Sequence, residues 1–372
     1  MKIFDCPCKE TTDFPFSVPI EKVLYVDIET TGLAAKTSAL YLIGCLYFSE
    51  NQWHCKQWFA DDYQSEARIL QDFITFASSY ALFVDFNGSH FDFPFLIEKC
   101  KQHEMEIPAC FSAQQLDLYK YFRPWKHLFS LENCKLKTLE GFTGITRKDR
   151  YSGKQLTKLY QNFHTEKRAN HTESFQALEE ILLLHNREDL TGMLALSNFY
   201  IFIAFLQKET ILSTVEVAFE DGLFLLNGTL AATVGNATYT WEVQDAYLQI
   251  KGVHISLVVK PVYDTLYHFY KDYKHYVYLQ LEDYAMHKSL ANFIDKSFQQ
   301  PATKETCYTK QTGFFLPIYT GSTLPIFKTK QQTSQDYIAL DENLCQNKQL
   351  MAQYLYDFIV YHPDVCIKND YT

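Results

Sequence analysis

The string Asp27-Ile28-Glu29 sets two carboxylates two residues apart at the end of the apolar run Val23 to Asp27. On a strand, alternation turns both side chains to the same face. Side by side and partly desolvated they repel, unless a cation neutralises them. Hard oxygen donors of this kind suit Mg²⁺ or Mn²⁺. A solvated strand end would carry the same residues, so the pair gains meaning only with others. A second string, Asn87-Gly88-Ser89-His90-Phe91-Asp92, follows another apolar run and opens a helix. Asp92 sits where the helix dipole favours a carboxylate, as a ligand or simply as a cap. A third, His185-Asn186-Arg187-Glu188-Asp189, puts His185 and Asp189 at i and i+4, on one helical face. Such a pair is either a surface contact or a base beside a metal-bound carboxylate.

In this order the three strings resemble the motifs of the DEDD superfamily of 3′–5′ exonucleases, which have an RNase-H-like fold. Residues 27–33 (DIETTGL) are similar to its first motif, the stretch Asn87 to Leu96 to its second and His185 to Met193 to its third. The chain is similar above all to the predicted bacterial exonucleases called YprB-like. That likeness spans residues 22–205 and takes in Leu116 to Leu118, Leu136 to Glu140, Arg147 to Asp149 and Gly153 to Tyr160. The resemblance implies that Asp27, Glu29, Asp92 and Asp189 bind two divalent metals, Mg²⁺ or Mn²⁺, with His185 orienting or deprotonating the attacking water. The third motif departs from the pattern: it joins a histidine to the three-residue gap before Asp189 that the tyrosine subtype carries. The implied partner is the 3′ end of single-stranded DNA or RNA. Thr30, Leu33, Asn87 and Phe91 would meet the terminal nucleotide, Leu33 and Phe91 by wedging or stacking unless they are core residues. Arg147 and Lys148 would contact phosphate. Glu140 and Arg147, of opposite sign, can equally pair with each other, and Asp117 reads as a cap or orienting group.

The elements that must position these groups follow from periodicity. Val23–Asp27, Ala39–Phe48, Gln52–Phe59 and Tyr80–Phe86 read as strands. Ser65–Ser78 and Phe93–Lys101 read as helices, and Ser174–Leu206 as a long helical region, broken in two near His185 to Asp189. This order predicts an α/β fold, an RNase-H-like mixed sheet flanked by helices, over residues 15–207. A smaller α+β domain is expected over residues 208–372. Its strands are expected at Thr214–Leu226, Thr229–Val234, Thr238–Val243 and Tyr247–Val259, with turns at Asp221-Gly222, Asn227-Gly228 and Gly235-Asn236. A strand and turn are expected from Cys307 to Pro317, and helices at Pro261–Tyr273, Leu281–Phe298 and Asn343–His362.

The 372 residues carry a net charge of −10 and are 47% hydrophobic, which excludes global disorder. Charge is uneven: between Lys120 and His171 there are 12 basic and 4 acidic residues, a local excess of +8. That strip is a candidate polyanion contact or a solvated lysine-rich face. The N-terminus has no apolar leader, and the most apolar helix carries Arg187, Glu188 and Asp189, so neither export nor membrane insertion is expected and the compartment is read as cytoplasmic. Scattered thiols agree with a reducing environment, and Cys6 and Cys8 have no second pair nearby to complete a zinc site. Glu282, Asp283 and His287 are read as first-turn partners of a helix dipole rather than as a metal site. The tyrosine-rich stretch from Tyr263 to Tyr278 is core, a stacking platform or a protein-partner surface. Two other functions fit the same sequence: a nucleic-acid-binding module with little or no turnover, and a protein-interaction scaffold.

Overall fold

The computed structural model describes residues 1–13, 15–112 and 114–369. Its first sheet is built from β1 (Lys2–Pro7), β2 (Val23–Thr30), β3 (Leu40–Ser49), β4 (Gln52–Phe59), β5 (Leu82–Asp85) and β6 (Gln114–Asp117), in the order β1-β4-β3-β2-β5-β6. β1 to β4, β4 to β3 and β3 to β2 are antiparallel, while β2-β5 and β5-β6 are parallel. The continuous apolar runs of β2, β3 and β5 are what strands covered on both faces require. One face packs against α1 (Glu66–Ala77), α2 (Asp92–Gln102) and α5 (Gly153–Arg168), through Leu24, Val26, Phe73, Phe83, Leu96, Tyr160 and Phe163. The other packs against α3 (Leu118–Phe122), α4 (Leu136–Phe142) and α6 (Thr172–Leu206), through Val23, Tyr25, Leu46, Phe122, Leu139 and Leu194.

Two expectations for this half are corrected. Residues 2–7 lie outside the expected 15–207 segment, yet they pair with β4 from Lys2↔Phe59 to Pro7↔His54 and extend the sheet. The string KIFDCP sets Ile3 and Phe4 side by side and ends on proline, so alternation does not mark it as a strand. The helical region near His185 is one helix of 35 residues, not two. Its polar stretch contains no glycine or proline before Gly192 and breaks no backbone bond; it turns polar groups toward the site.

The second half holds a six-stranded antiparallel sheet, ordered β18-β9-β10-β11-β8-β7. Its strands are β7 (Thr214–Glu220), β8 (Leu223–Thr229), β9 (Thr238–Val243), β10 (Ala246–Lys251), β11 (His254–Val259) and the short β18 (Lys368–Asn369). Asp221 and Gly222 take φ of 51° and 79° and close the β7–β8 hairpin, as expected. Asn227-Gly228 is not a turn: it lies inside β8, where Gly228 pairs with both Val215 and Ile255. Residues 229–234 form no strand beyond Thr229.

The expected helices at 261–273 and 281–298 are also corrected. β12 (Val262–Phe269), β13 (Tyr276–Leu279), β14 (Tyr284–His287), the four-residue α7 (Lys288–Ala291) and β15 (Gln299–Pro301) occupy that region. Tyr263, Tyr267 and Tyr270 have helical spacing, but β12 pairs along its whole length with β16 (Tyr308–Ile318), and tertiary pairing outweighs weak local preference. Glu282 and Asp283 thereby fall at the β13–β14 turn, where Asp283 takes φ of 55°. β17 (Asp336–Ala339), α8 (Glu342–Gln346) and α9 (Lys348–Tyr361) complete the fold, with α9 near the expected helix at 343–362.

The two halves share a core. Phe199 of α6 lies 4.6 Å from Tyr239 of β9, and Phe142 of α4 lies 5.3 Å from the same ring. The helix α6 is long and apolar enough to cross a membrane, and 78% of its most apolar window is buried inside this chain.

One close approach fixes the height of α6 over the sheet. Asp27, Gly44 and Gln57 stand in register across β2, β3 and β4. Asn186 of α6 settles onto Gly44, where a Cβ would come within 1.9 Å of its Oδ1. Gly44→Ala should therefore cost about 1–3 kcal/mol as an overpacking substitution. Chemical denaturation would read this, and Asn186→Ala should restore part of the loss in the Gly44→Ala background. Unchanged stability of Gly44→Ala would refute the close fit.

Candidate active site

The site forms at the carboxyl end of β2, where open α/β sheets place their ligands. Asp27 and Glu29 leave β2 on the α6 face, just before a bulge between Glu29 and Thr30. Asp27 is anchored: Asn186 Nδ2 donates to its Oδ2 at 2.7 Å, while Gln57 Nε2 donates to Asn186 Oδ1 at 2.8 Å. Asp92 begins α2, yet its carboxylate reaches back to accept from Ile28 N at 3.1 Å. It is thus tied to the strand that carries the other two acids rather than serving as an N-cap.

From α6, His185 and Asp189 face the strand end. His185 Nε2 lies 3.6 Å from Glu29 Oε1 and 3.4 Å from Asp189 Oδ2. Donor atoms of Glu29, His185 and Asp189 all fall within 4.8 Å of one another. The other face of the imidazole is held by Asp149, whose Oδ2 is 2.6 Å from His185 Nδ1. Lys137 Nζ also donates to Asp149 Oδ2, at 2.8 Å.

The electrostatics follow from crowding. Burial first, then repulsion from Asp189, Glu29 and Asp92, holds the Asp27 carboxyl well above its ordinary value. Glu29 rises for the same reasons, burial leading and Asp189 and Asp92 following. Burial pushes Asp92 up to about 7, although Ile28 N opposes it. Asp149 goes the other way: burial would raise it, but Lys137, Tyr151 N and His185 outweigh that and hold it below the usual range. Among the described residues, neither Asp27 nor Asp92 takes part in an ion pair with a cationic side chain. Arg147 alone reaches the cluster, on Asp189. Oxygen donors with unmet repulsion are of the type a hard divalent cation takes, and Asp27, Glu29, Asp92 and Asp189 are the residues that could hold one.

The remaining expected site residues divide. Thr30 Oγ1 bonds Gly32 O at 2.8 Å within the turn. Leu33, in that turn, is 87% exposed and free to meet a ligand. Phe91 is half-buried, 5.6 Å from Phe95, against the core. Asn87 takes φ of 67°, a conformation asparagine tolerates. Its loop is held by Asp117, which accepts from Asn87 N at 2.8 Å and Ser89 Oγ at 2.9 Å, as an orienting group should.

Arg147, expected at phosphate, is instead engaged by acids. It pairs with Asp189, with Glu140 at 3.4 Å and with Glu188 at 3.7 Å, and its side chain is only 8% exposed. The Glu140–Arg147 pair anticipated from charge is present. Glu140 fits because residue 192 is glycine: a Cβ there would lie 1.8 Å from Glu140 Oε1. Lys148 keeps an exposed side chain, and its backbone N donates to Glu188 Oε1 at 3.0 Å. Asn186, Gln57 and Asp149 were assigned no role from sequence. A lone glycine inside the apolar β3 was the available signal for a close approach at Asn186; Asp149 fell within a stretch of the family likeness, Arg147 to Asp149, that carried no role for it.

Residues 24–200 match the family model RNase_H_2, described as RNase_H superfamily. With the β1-β4-β3-β2-β5-β6 sheet, this makes the N-terminal domain RNase-H-like; an additional sheet-rich α+β part follows it. No curated protein matches the chain significantly. Among solved structures, Escherichia coli exonuclease I in complex with a dT13 oligonucleotide is similar at 11% identity and a TM-score of 0.30, over 62% of this chain and 55% of that one. A family B DNA polymerase from the hyperthermophilic archaeon Pyrobaculum calidifontis is similar at 10% identity and a TM-score of 0.34, over 74% and 39%. The chain thus spans little more than half the length of the exonuclease I it resembles.

Raised carboxyl values give a signed pH dependence. The folded state binds more protons than the unfolded one, so stability falls as pH rises from the ordinary carboxylate range near ~4. For Asp92 the fall runs through about 7. Glu140, raised to about 7, and Asp85, raised to about 8, both chiefly by burial, act in the same direction. The metal-free protein should melt lower at pH 8 than at pH 5.5. Mn²⁺ should raise the midpoint more at pH 8 than at pH 5.5, a hundredfold excess over its Kd being worth about 2.7 kcal/mol of stability. Thermal scans of wild type and Asp27→Asn would check this; equal metal increments at both pH values would contradict it.

Proposed function

We propose that this chain is a divalent-metal-dependent 3′–5′ exonuclease that hydrolyses the terminal phosphodiester of single-stranded DNA or RNA. The observation that carries the reading is the approach of Glu29 and Asp189 to His185 Nε2, with Asp27 and Asp92 near enough to repel the same acids. The match of residues 24–200 to the RNase H superfamily supports it. Two bound divalent ions would supply activation of water and neutralisation of charge on the phosphorus and the leaving oxygen.

The chain's own residues supply the rest. Asp27, Glu29, Asp92 and Asp189 hold the ions, and Asn186 and Ile28 N fix Asp27 and Asp92 in place. His185 Nε2 accepts the proton of the attacking water. The new P–O bond forms as the bond to the preceding 3′ oxygen breaks, releasing a nucleoside 5′-monophosphate. Leu33, exposed in the turn after the acidic pair, meets the terminal base. Exposed Lys148, Arg150, Lys154 and Lys158 lie on the segment that also carries Asp149 and give the incoming strand a cationic border.

The test is a 5′-labelled single-stranded oligonucleotide, as DNA and as RNA, with Mn²⁺, Mg²⁺ or EDTA. A metal-dependent ladder shortening from the 3′ end is expected, abolished in Asp27→Asn and reduced about 10²–10⁴-fold in His185→Ala. Salt-sensitive binding without products, in a folded protein, would move the assignment to a nucleic-acid-binding module.

A further inference from the structure

The segment Arg147–Asp149 lies far from the three acidic strings in sequence, yet it grips the catalytic face of α6 at three points. Arg147 pairs with Asp189. The backbone N–H groups of Lys148 and Asp149 donate to the two oxygens of Glu188, at 3.0 and 2.8 Å. Asp149 Oδ2 meets His185 Nδ1 at 2.6 Å. Of these, the last bears on chemistry, because the hydrogen bond at one imidazole nitrogen decides what the other can do.

Asp149 accepts from every side. Its Oδ1 takes Tyr151 N at 3.0 Å, and its Oδ2 takes Lys137 Nζ at 2.8 Å. The side chain is 1% exposed, so bulk water does not compete for it. An oxygen already facing an ammonium has no proton to give, so at this contact Nδ1 donates. In the neutral ring His185 Nε2 then carries the lone pair, and it points between Glu29 and Asp189.

We propose that Asp149 is a positioning residue that locks His185 as its Nδ1–H tautomer and aims the Nε2 lone pair at the water site. Its catalytic meaning rests on the exonuclease reading; the tautomer itself does not. Lys137 belongs to the device, since it holds the acceptor in its ionised form. Among the described residues the polar contacts of the Asp149 carboxylate are Lys137, Tyr151 N and His185, and none is one of the four carboxylates, so its effect on rate runs through His185.

The experiment uses the full-length chain labelled with ¹⁵N-histidine, metal-free at pH 8, with the His185 ring resonances assigned by their loss in His185→Ala. Wild type should show a single Nδ1–H tautomer at His185. Asp149→Ala and Asp149→Asn should each show a mixture or the Nε2–H form. In the oligonucleotide assay each should lower kcat about 10- to 100-fold with KM nearly unchanged, and neither should add to the loss in a His185→Ala background. Nε2–H in the wild type would overturn the proposal. So would variants that keep both tautomer and kcat, or an Asp149 loss that persists in full without His185, which would mark a merely structural role. If wild type cleaves nothing, the tautomer comparison still decides the role of Asp149, and only the exonuclease reading fails.

Discussion

Like charges brought together in a partly desolvated pocket repel, and the end of β2 gathers four carboxylates. Burial and mutual repulsion hold Asp27 and Glu29 well above their ordinary values, and among the described residues the arginine that reaches the group, Arg147, pairs with Asp189. The surrounding structure offers partial relief through hydrogen bonds. Asn186 holds Asp27, Ile28 N holds Asp92, and Arg147 takes one oxygen of Asp189. None of these removes the excess negative charge. A scaffold so arranged gains from a divalent cation what it loses by assembling the acids, which couples metal affinity to stability and to pH.

The same constraint explains the placement of glycines along α6. The helix must lie close enough for Asn186 to span Gln57 and Asp27, so the strand residue beneath it can carry no side chain. One turn and a half further on, Gly192 leaves room for the Glu140 carboxylate, which faces Arg147. Beyond that point α6 turns from chemistry to packing. Phe199 and its neighbours join α4 and β9 in a common core, so the RNase-H-like half and the sheet-rich half cannot be separated without exposing it.

Between β6 and α6 runs the basic stretch from Lys120 to His171. Its charge first suggests a surface for polyanions, and Lys148, Arg150, Lys154 and Lys158 are exposed as that requires. Arg147 and Lys137 are not spent this way. Arg147 faces Asp189 of α6, and Lys137 faces Asp149, the partner of His185. One segment thus serves two ends: an outer row of cations available to a ligand and an inner pair that orders the site.

Much of the RNase-H-like half was legible in the chain itself. β4 runs Gln52–Phe59 as alternation predicts, and the acids Asp27, Glu29, Asp92 and Asp189 stand out because carboxylates after apolar strands and on one helix face are chemically conspicuous. Local pattern could not reveal β1, the continuity of α6 or the strands at 262–269 and 276–287. Edge pairing and sheet register depend on partners dozens of residues away. The roles of Arg147 and Asp149 were hidden for the same reason: the sign of a charge is written in the residue, but which charge it answers is decided only when distant segments meet. Sequence alone determined which carboxylates and which histidine are available, through residue type and spacing. Only the tertiary structure decided the orientation of that chemistry, because hydrogen-bond direction and desolvation arise from packing.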